Sequence, residues 1–373
     1  MKTKSYLLGL VLLGLLTWSC SNKDDVSTSQ GSLKTSMNTN VANLTNAVSA
    51  ITTSAGYQVL QTSGTSNGPS LVKSTTSSSG SFFSTPLDTI TLAAIAGTYD
   101  FKASKFKKWS PALFNFFTKT AASTDFIVRL PESKVKNPGS LFRYLAADTI
   151  LANNYVIDVS QYNYNFGRFL WNYDMASAIT IDNIAAGTLS INSSRNKTNG
   201  YQYQSDFLFA NGYDAKMIYS TGDTILSDYR ITKGTTILFE EKFTSIKADT
   251  ATRHRENQYA LTIGNVSIVR TPTHGNNGLD SAKVYVGGTL QTKAMVKFID
   301  VTSHSDTTEF SIIGGRRDLQ ITFDDGTTQT VSQLLGSTIT GVRTLFTSLR
   351  QVYFATNIVD WVAWDIYMNK KNM

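Results

Sequence analysis

One cysteine, three histidines and six prolines in 373 residues remove several classes of protein at once. A single thiol cannot form an intrachain disulfide, so packing alone must hold the chain together in any redox compartment. The histidines, His254, His274 and His304, lie in polar, turn-like segments. No pair has metal-ligand spacing and no His-Glu-x-x-His occurs, so no zinc motif is present. Gly-x-Ser-x-Gly, the phosphate-loop pattern and the dinucleotide glycine fingerprint are also missing. No nucleic-acid recognition motif appears either. The sequence therefore points to no metal, no cofactor, no nucleic acid and no catalytic residue. Charged residues are scarce at 16%, but 41% hydrophobic content is that of a folded chain.

Long apolar runs are lacking too. Tyr6–Leu16 is roughly half of the about 20 residues that a spanning helix needs. Lys2 and Lys4 precede this run, and Thr17-Trp18-Ser19-Cys20 follows it. A basic segment, a short apolar stretch and a small residue describe an export signal. The lone cysteine sits where such a signal is cut. This arrangement resembles the lipobox of bacterial lipoproteins, which implies that Cys20 is lipidated and becomes the first residue of the mature chain. Ser21-Asn22-Lys23-Asp24-Asp25 is similar to the Lys-acidic-acidic signal of surface-exposed lipoproteins of the Bacteroidota, carried here by Lys23, Asp24 and Asp25. The resemblance implies an outer-membrane protein held by its lipid anchor and facing the cell surface, with a periplasm-facing protein as the alternative. It identifies no functional family.

Asp followed by Ser or Thr and a small apolar residue or Thr recurs, placing Thr89, Thr149, Thr224, Thr250, Ser281 and Thr307 at the acceptor position. The pattern matches the O-glycosylation consensus of secreted Bacteroidota proteins. A plainer origin is that Asp favours turns and Thr favours the strands after them. Formal charge is +7, and loss of Lys2 and Lys4 leaves +5. Much of the excess is local, at Lys102, Lys105, Lys107, Lys108, Lys119, Arg129, Lys134, Lys136 and Arg143. Such a cluster suits an acidic glycan or lipopolysaccharide phosphates, though a cluster of this kind is more often a solvated face.

The organisation follows from periodicity. Residues 1–19 read as signal peptide and 20–31 as a polar tether. In 32–53, Leu33, Met37, Val41, Leu44, Val48 and Ile51 form the apolar stripe of a helix. Residues 54–88, rich in Ser, Gly and Thr, read as a linker. From 89 to 330 the period is two, with turn signals at Asn199-Gly200, Asn211-Gly212, Lys233-Gly234, Asn277-Gly278 and Asp325-Gly326. Short connections leave no room for crossover helices, so an antiparallel meander of roughly a dozen strands is expected. In 331–373 helical spacing returns through Ile339, Val342, Leu345, Phe346 and Leu349. The run Ile358 to Tyr367 suits a helix or a closing strand. The expected fold is mainly β, of the α+β class: a curved or half-barrel sheet with an N-terminal and a C-terminal helix packed on it. Gly97-Thr98-Tyr99-Asp100 and Phe169–Asp174 carry a faint likeness to half-barrel lipoprotein carriers, too short to assign that family.

Two features bear on chemistry. Glu240-Glu241 lies in a strand, so one carboxylate should point to each face. An inward glutamate would be one half of what glycoside hydrolysis needs. Tyr162, Tyr164 and Phe166 alternate with Gln161, Asn163 and Asn165, Trp171 follows, and Tyr201 and Tyr203 alternate with Gln202 and Gln204. Rings stack on the apolar faces of pyranoses and amides bond hydroxyls, so these aromatics are candidate ligand contacts. Ordinary strand alternation, rings in the core and amides in water, explains them as well. A non-catalytic binding or structural role is expected, with glycan, lipid or an outer-membrane protein as partner. A half-barrel lipid or lipoprotein carrier and a glycan-degrading hydrolase are the alternatives.

Overall fold

The computed structural model describes residues 32–62, 89–102, 116–136, 151–166, 171–196, 200–247, 255–271, 282–300, 312, 317–350 and 353–371. Among these residues fifteen strands form one open sheet. They are β1 (Thr89–Thr91), β2 (Gly97–Phe101), β3 (Phe117–Ala121), β4 (Phe126–Leu130), β5 (Tyr155–Phe166), β6 (Trp171–Ile181), β7 (Ile184–Asn196), β8 (Gly200–Phe209), β9 (Tyr213–Ser220), β10 (Thr224–Lys233), β11 (Thr236–Lys247), β12 (Arg255–Ile263), β13 (Val266–Arg270), β14 (Lys283–Val286) and β15 (Thr289–Leu290). From β4 to β15 each strand pairs antiparallel with the next, which is the expected meander. At the other end β2 lies parallel to β4, and β1 pairs with the second half of β5. A second sheet holds β16 (Met295–Asp300), β17 (Arg317–Thr322) and β18 (Thr328–Thr330).

Tight turns set the register. Gly234 (φ 57°) and Gly264 (φ 59°) each open a two-residue turn in the left-handed conformation. Asp182 and Asn183 are the only non-glycine residues with positive φ among those described, and together they form the β6–β7 turn. Both central residues of a type I′ turn need that conformation, and Asp and Asn tolerate it best after glycine.

Helix α1 (Leu33–Thr52) buries Leu33, Met37, Leu44, Val48 and Ile51, the expected stripe. Ser32 caps it by accepting the N–H of Thr35. Its Thr- and Asn-rich sequence needs a partner surface, and it finds one over β11, β12 and β13. Asn40 Nδ2 donates to Asn265 Oδ1 at 2.7 Å, and a Cβ on Gly264 would sit 2.4 Å from the Asn40 side chain. Glycine at that turn is what lets α1 come so close.

Residues 54–88, expected as linker, begin instead with helix α2 (Ala55–Thr62), which buries Tyr57, Val59 and Leu60. Gly56 is a close-packing residue here, since a Cβ would meet the Ala186 carbonyl at 2.5 Å and Phe209 at 2.7 Å. Residues 63–88 lie outside the described set. Two single-turn helices follow in the sheet domain, α3 (Leu92–Ile95) and α4 (Glu132–Lys136). At the C-terminus come α5 (Val331–Leu335), α6 (Thr338–Arg350) and α7 (Tyr353–Lys371), so the run around Trp361 and Trp364 is helix and not a closing strand.

Helices α2 and α6 pack on β7, β8 and β9 and, with α1, build one continuous core against the sheet's inner face. Phe207 and Phe209 of β8, Ile231 of β10, Phe239 of β11 and Ile263 of β12 point into it. The second sheet closes the β12 side, where Phe298 meets Tyr259 edge-on at 5.7 Å. Of the basic cluster, Lys119 and Arg129 are exposed, but Lys134 is buried with its ammonium 5.8 Å from the Phe101 ring centroid.

Candidate ligand-binding shelf

A bulge decides which aromatics share a face. Register slips at Ser160, between Val159 and Gln161 on β5. Before it, Tyr155, Ile157 and Val159 point inward; after it, the inward phase passes to Tyr162 and Tyr164. Had regular alternation run through Ser160 with no bulge, the tyrosines would point outward.

Tyr162 is therefore a core residue. It is 3% exposed and donates to Asp360 Oδ1 of α7 at 3.0 Å. Burial, reinforced by the Asp360 carboxylate, pushes its hydroxyl well above the ordinary phenol range. Tyr164 is half-buried, edge-on to Tyr173 at 5.8 Å. Phe166 pairs with Trp171 through its backbone, and its side chain lies outside the described residues. Gln161, Asn163 and Asn165 face the other way, and Gln161 donates to the Asp174 carboxylate there. The sheet thus separates the rings from the amides, so the two sets do not converge on one ligand.

The remaining aromatics do converge. Trp171, Arg195 and Tyr201 are direct cross-strand partners on β6, β7 and β8. The Arg195 guanidinium lies 5.7 Å from the Trp171 ring centroid, and Trp171 Nε1 donates to Ser193 Oγ at 3.3 Å. Tyr201 stands 5.8 Å from Trp171, 6.5 Å from Tyr203 and 6.1 Å from Tyr219, centroid to centroid. Tyr219 is 39% exposed, and Trp171, Arg195, Tyr201 and Tyr203 are half-buried. Burial pushes the Tyr203 hydroxyl up to about 12 and raises that of Tyr201. At a strand spacing of about 4.8 Å, four strands give a shelf about 14 Å across. Arg195 and Tyr219 were not singled out in the sequence. Carrying the Tyr201 and Tyr203 phase through the turn at Gly200 would have found Arg195.

The two glutamates divide as expected. Glu240 faces outward and accepts from Arg230 Nε at 3.1 Å. Glu241 faces inward, 2% exposed, and accepts from the Tyr259 hydroxyl at 2.9 Å and from the backbone N–H of Ile312. Arg343 of α6 holds the Ile312 carbonyl at 2.8 Å, so that residue is gripped on both sides. Asp318 also points inward, accepting from Leu319 N and from Ser332 N at the start of α5. These inward carboxylates are engaged by donors inside the core, an arrangement that secures backbone.

The outer face carries a charge network. Asp206, Lys216, Arg230 and Glu240 are successive cross-strand partners, with Asp228 bonded to Arg230 at 3.0 Å. Asp214 beside them is pushed up to about 7, first by burial and then by the hydrogen bond and charge of Asp206. Elsewhere a cleft of about 430 Å³ lies between Asn40 and Asn43 of α1 and the turns at Thr235 and Gly264.

Among the acceptor threonines, Thr89 and Thr224 are exposed and each opens a strand, which suits either origin of the pattern. Thr149, Thr250, Ser281 and Thr307 lie outside the described residues, as do Cys20, Lys23, Asp24, Asp25 and the three histidines. Among the described residues no group of three or more His, Cys, Asp or Glu is placed to hold a metal, and no helix is long and apolar enough to cross a membrane. No family model, no curated protein and no solved structure matches this chain.

Proposed function

We propose that this chain is a lipid-anchored outer-membrane protein, displayed at the cell surface, that holds glycan against the aromatic shelf of its sheet. The address rests on the N-terminal signal, with Cys20 as the lipidated residue and Lys23-Asp24-Asp25 as the export signal. The binding role rests on one observation: Trp171, Tyr201 and Tyr219 form a contiguous, partly open ring surface at the end of the inner face. Rings that fill a core give up their faces to neighbours, whereas these keep area for a pyranose to stack on. The carrier reading is weaker, because the inner face that would hold an acyl chain is occupied by Leu44, Ile51, Leu345, Phe346 and Leu349.

Protease shaving of intact cells, with Cys20→Ala beside the wild type, tests the address. Wild-type protein should be membrane-bound and cut from outside, and Cys20→Ala should leave the membrane fraction. Protection until cells are broken would refute surface display. Titration of the detergent-solubilised full chain with oligosaccharides, followed by calorimetry, tests the shelf. Trp171→Ala should abolish binding while leaving the melting temperature nearly unchanged.

A further inference from the structure

We infer that the glycan held on this shelf is acidic and that Arg195 is the residue that recognises its negative groups. This rests on the shelf reading and adds the ligand's charge. Arg195 stands between Trp171 and Tyr201 in the cross-strand row, so any ring stacked on those two aromatics lies beside its guanidinium. Its cation already sits over the Trp171 ring, an arrangement that fixes the side chain and leaves its edge donors available. A second cation flanks the other side. Exposed Arg350, at the end of α6, donates to the Tyr229 hydroxyl and lies 5.9 Å from that ring centroid. Its charge also reaches the Tyr203 hydroxyl.

Among the described residues neither guanidinium meets a carboxylate. The acids are sorted elsewhere. Asp206, Asp214, Asp228 and Glu240 lie on the outer face. Glu241, Asp318 and Asp360, on the inner side, are engaged by hydroxyl or backbone donors in the core. The shelf therefore brings two arginine cations beside open rings, and the acids just named have their partners elsewhere. An arginine fork matches a carboxylate in two parallel hydrogen bonds, which a neutral sugar cannot supply. A neutral glycan would leave Arg195 idle; an acidic one uses the ring row and the cation together.

The test is calorimetric titration of the full chain with acidic glycans (oligogalacturonate, chondroitin and heparin fragments) and with neutral ones (galactose, glucose and chitin oligomers). Each is repeated on Arg195→Gln and Trp171→Ala. The expected result is binding to at least one acidic glycan, weakening as salt is raised. Arg195→Gln should lose at least about tenfold in affinity, the loss of one charge-assisted hydrogen bond. Trp171→Ala should lose all of it. Neutral glycans that bind as well, through Trp171 and without regard to Arg195, would overturn the acidic assignment and leave the shelf standing. Acidic binding unchanged in both variants, or no binding by any glycan, would overturn the shelf and this inference together.

Discussion

Glu240 and Glu241 are neighbours on one strand and meet opposite fates. Glu240 looks outward, into a row where Arg230, the buried Asp228 and Lys216 share charge on the outer face. Glu241 looks inward and is the acceptor for a buried hydroxyl and a buried backbone N–H. On the outer face a lost carboxylate is replaced by water or by a neighbouring acid. On the inner face its loss orphans donors that water does not reach. In a sheet covered on one side, the worth of a polar residue depends on its phase far more than on its strand.

The largest effect should come from the inner face's hydrocarbon. Phe239 is fully buried between Ile231 and Ile263, with its ring 6.3 Å from that of Phe346 on α6. Phe239→Ala should cost about 3–5 kcal/mol in urea unfolding, through lost burial and the cavity left behind. The glutamates sharpen the contrast. Glu241→Ala should cost about 1–3 kcal/mol for each orphaned donor, at least about 2 in all. Glu240→Ala should cost no more than about 1 kcal/mol, because Arg230 keeps Asp228. Equal losses at the two positions would break the comparison.

Much of this was legible in the sequence. The period of two, the glycine turns at 200, 212, 234 and 326, and the helical stripes of α1 and α6 all stand where the residues placed them. The turn at Asp182-Asn183 was not visible, because its signal lacks glycine. Helix α2 was hidden by composition: Gly56 reads as flexibility, yet its missing side chain is what lets the helix touch β7. The shelf was half legible. Trp171, Tyr201 and Tyr203 stood out as aromatics, but the inward turn of Tyr162 and Tyr164 into the core depended on the Ser160 bulge, and bulges leave little trace in one strand's sequence. Burial itself was unreadable, since both faces of strands such as β5 and β11 carry large residues. Only the helices on one side decide it.

The outer face should respond to pH through Asp214. Asp214 has its folded pKa raised from 3.8 to about 7 by burial and by Asp206. Between those values the folded state holds a proton that the unfolded chain has released. The stability this confers is therefore present near pH 4 and is lost as pH rises toward 7. Asp214→Asn, which mimics the protonated form, should flatten that part of the profile. Melting temperatures of both proteins at pH 4.5 and 7.5 check the sign: the wild type should lose more on going up. A variant that falls in parallel with the wild type would show that the proton is not held at this pair.

The smallest effect on stability should come from the inner face itself, at its open end. Tyr219 shares a face with Ala215 and Met217, and its strand partner there is Tyr203. By phase alone it should behave like Phe239. By exposure, at 39%, it should behave like a surface residue. Tyr219→Ala is expected to cost less than about 1 kcal/mol, in the range of surface substitutions, while weakening glycan binding. A loss as large as that of Phe239→Ala would mean that the ring row is ordinary core, with no face to offer, and the shelf would lose its physical basis. A small loss of stability with a large loss of binding would separate the two ends of one face by task, one holding the fold and the other holding the ligand.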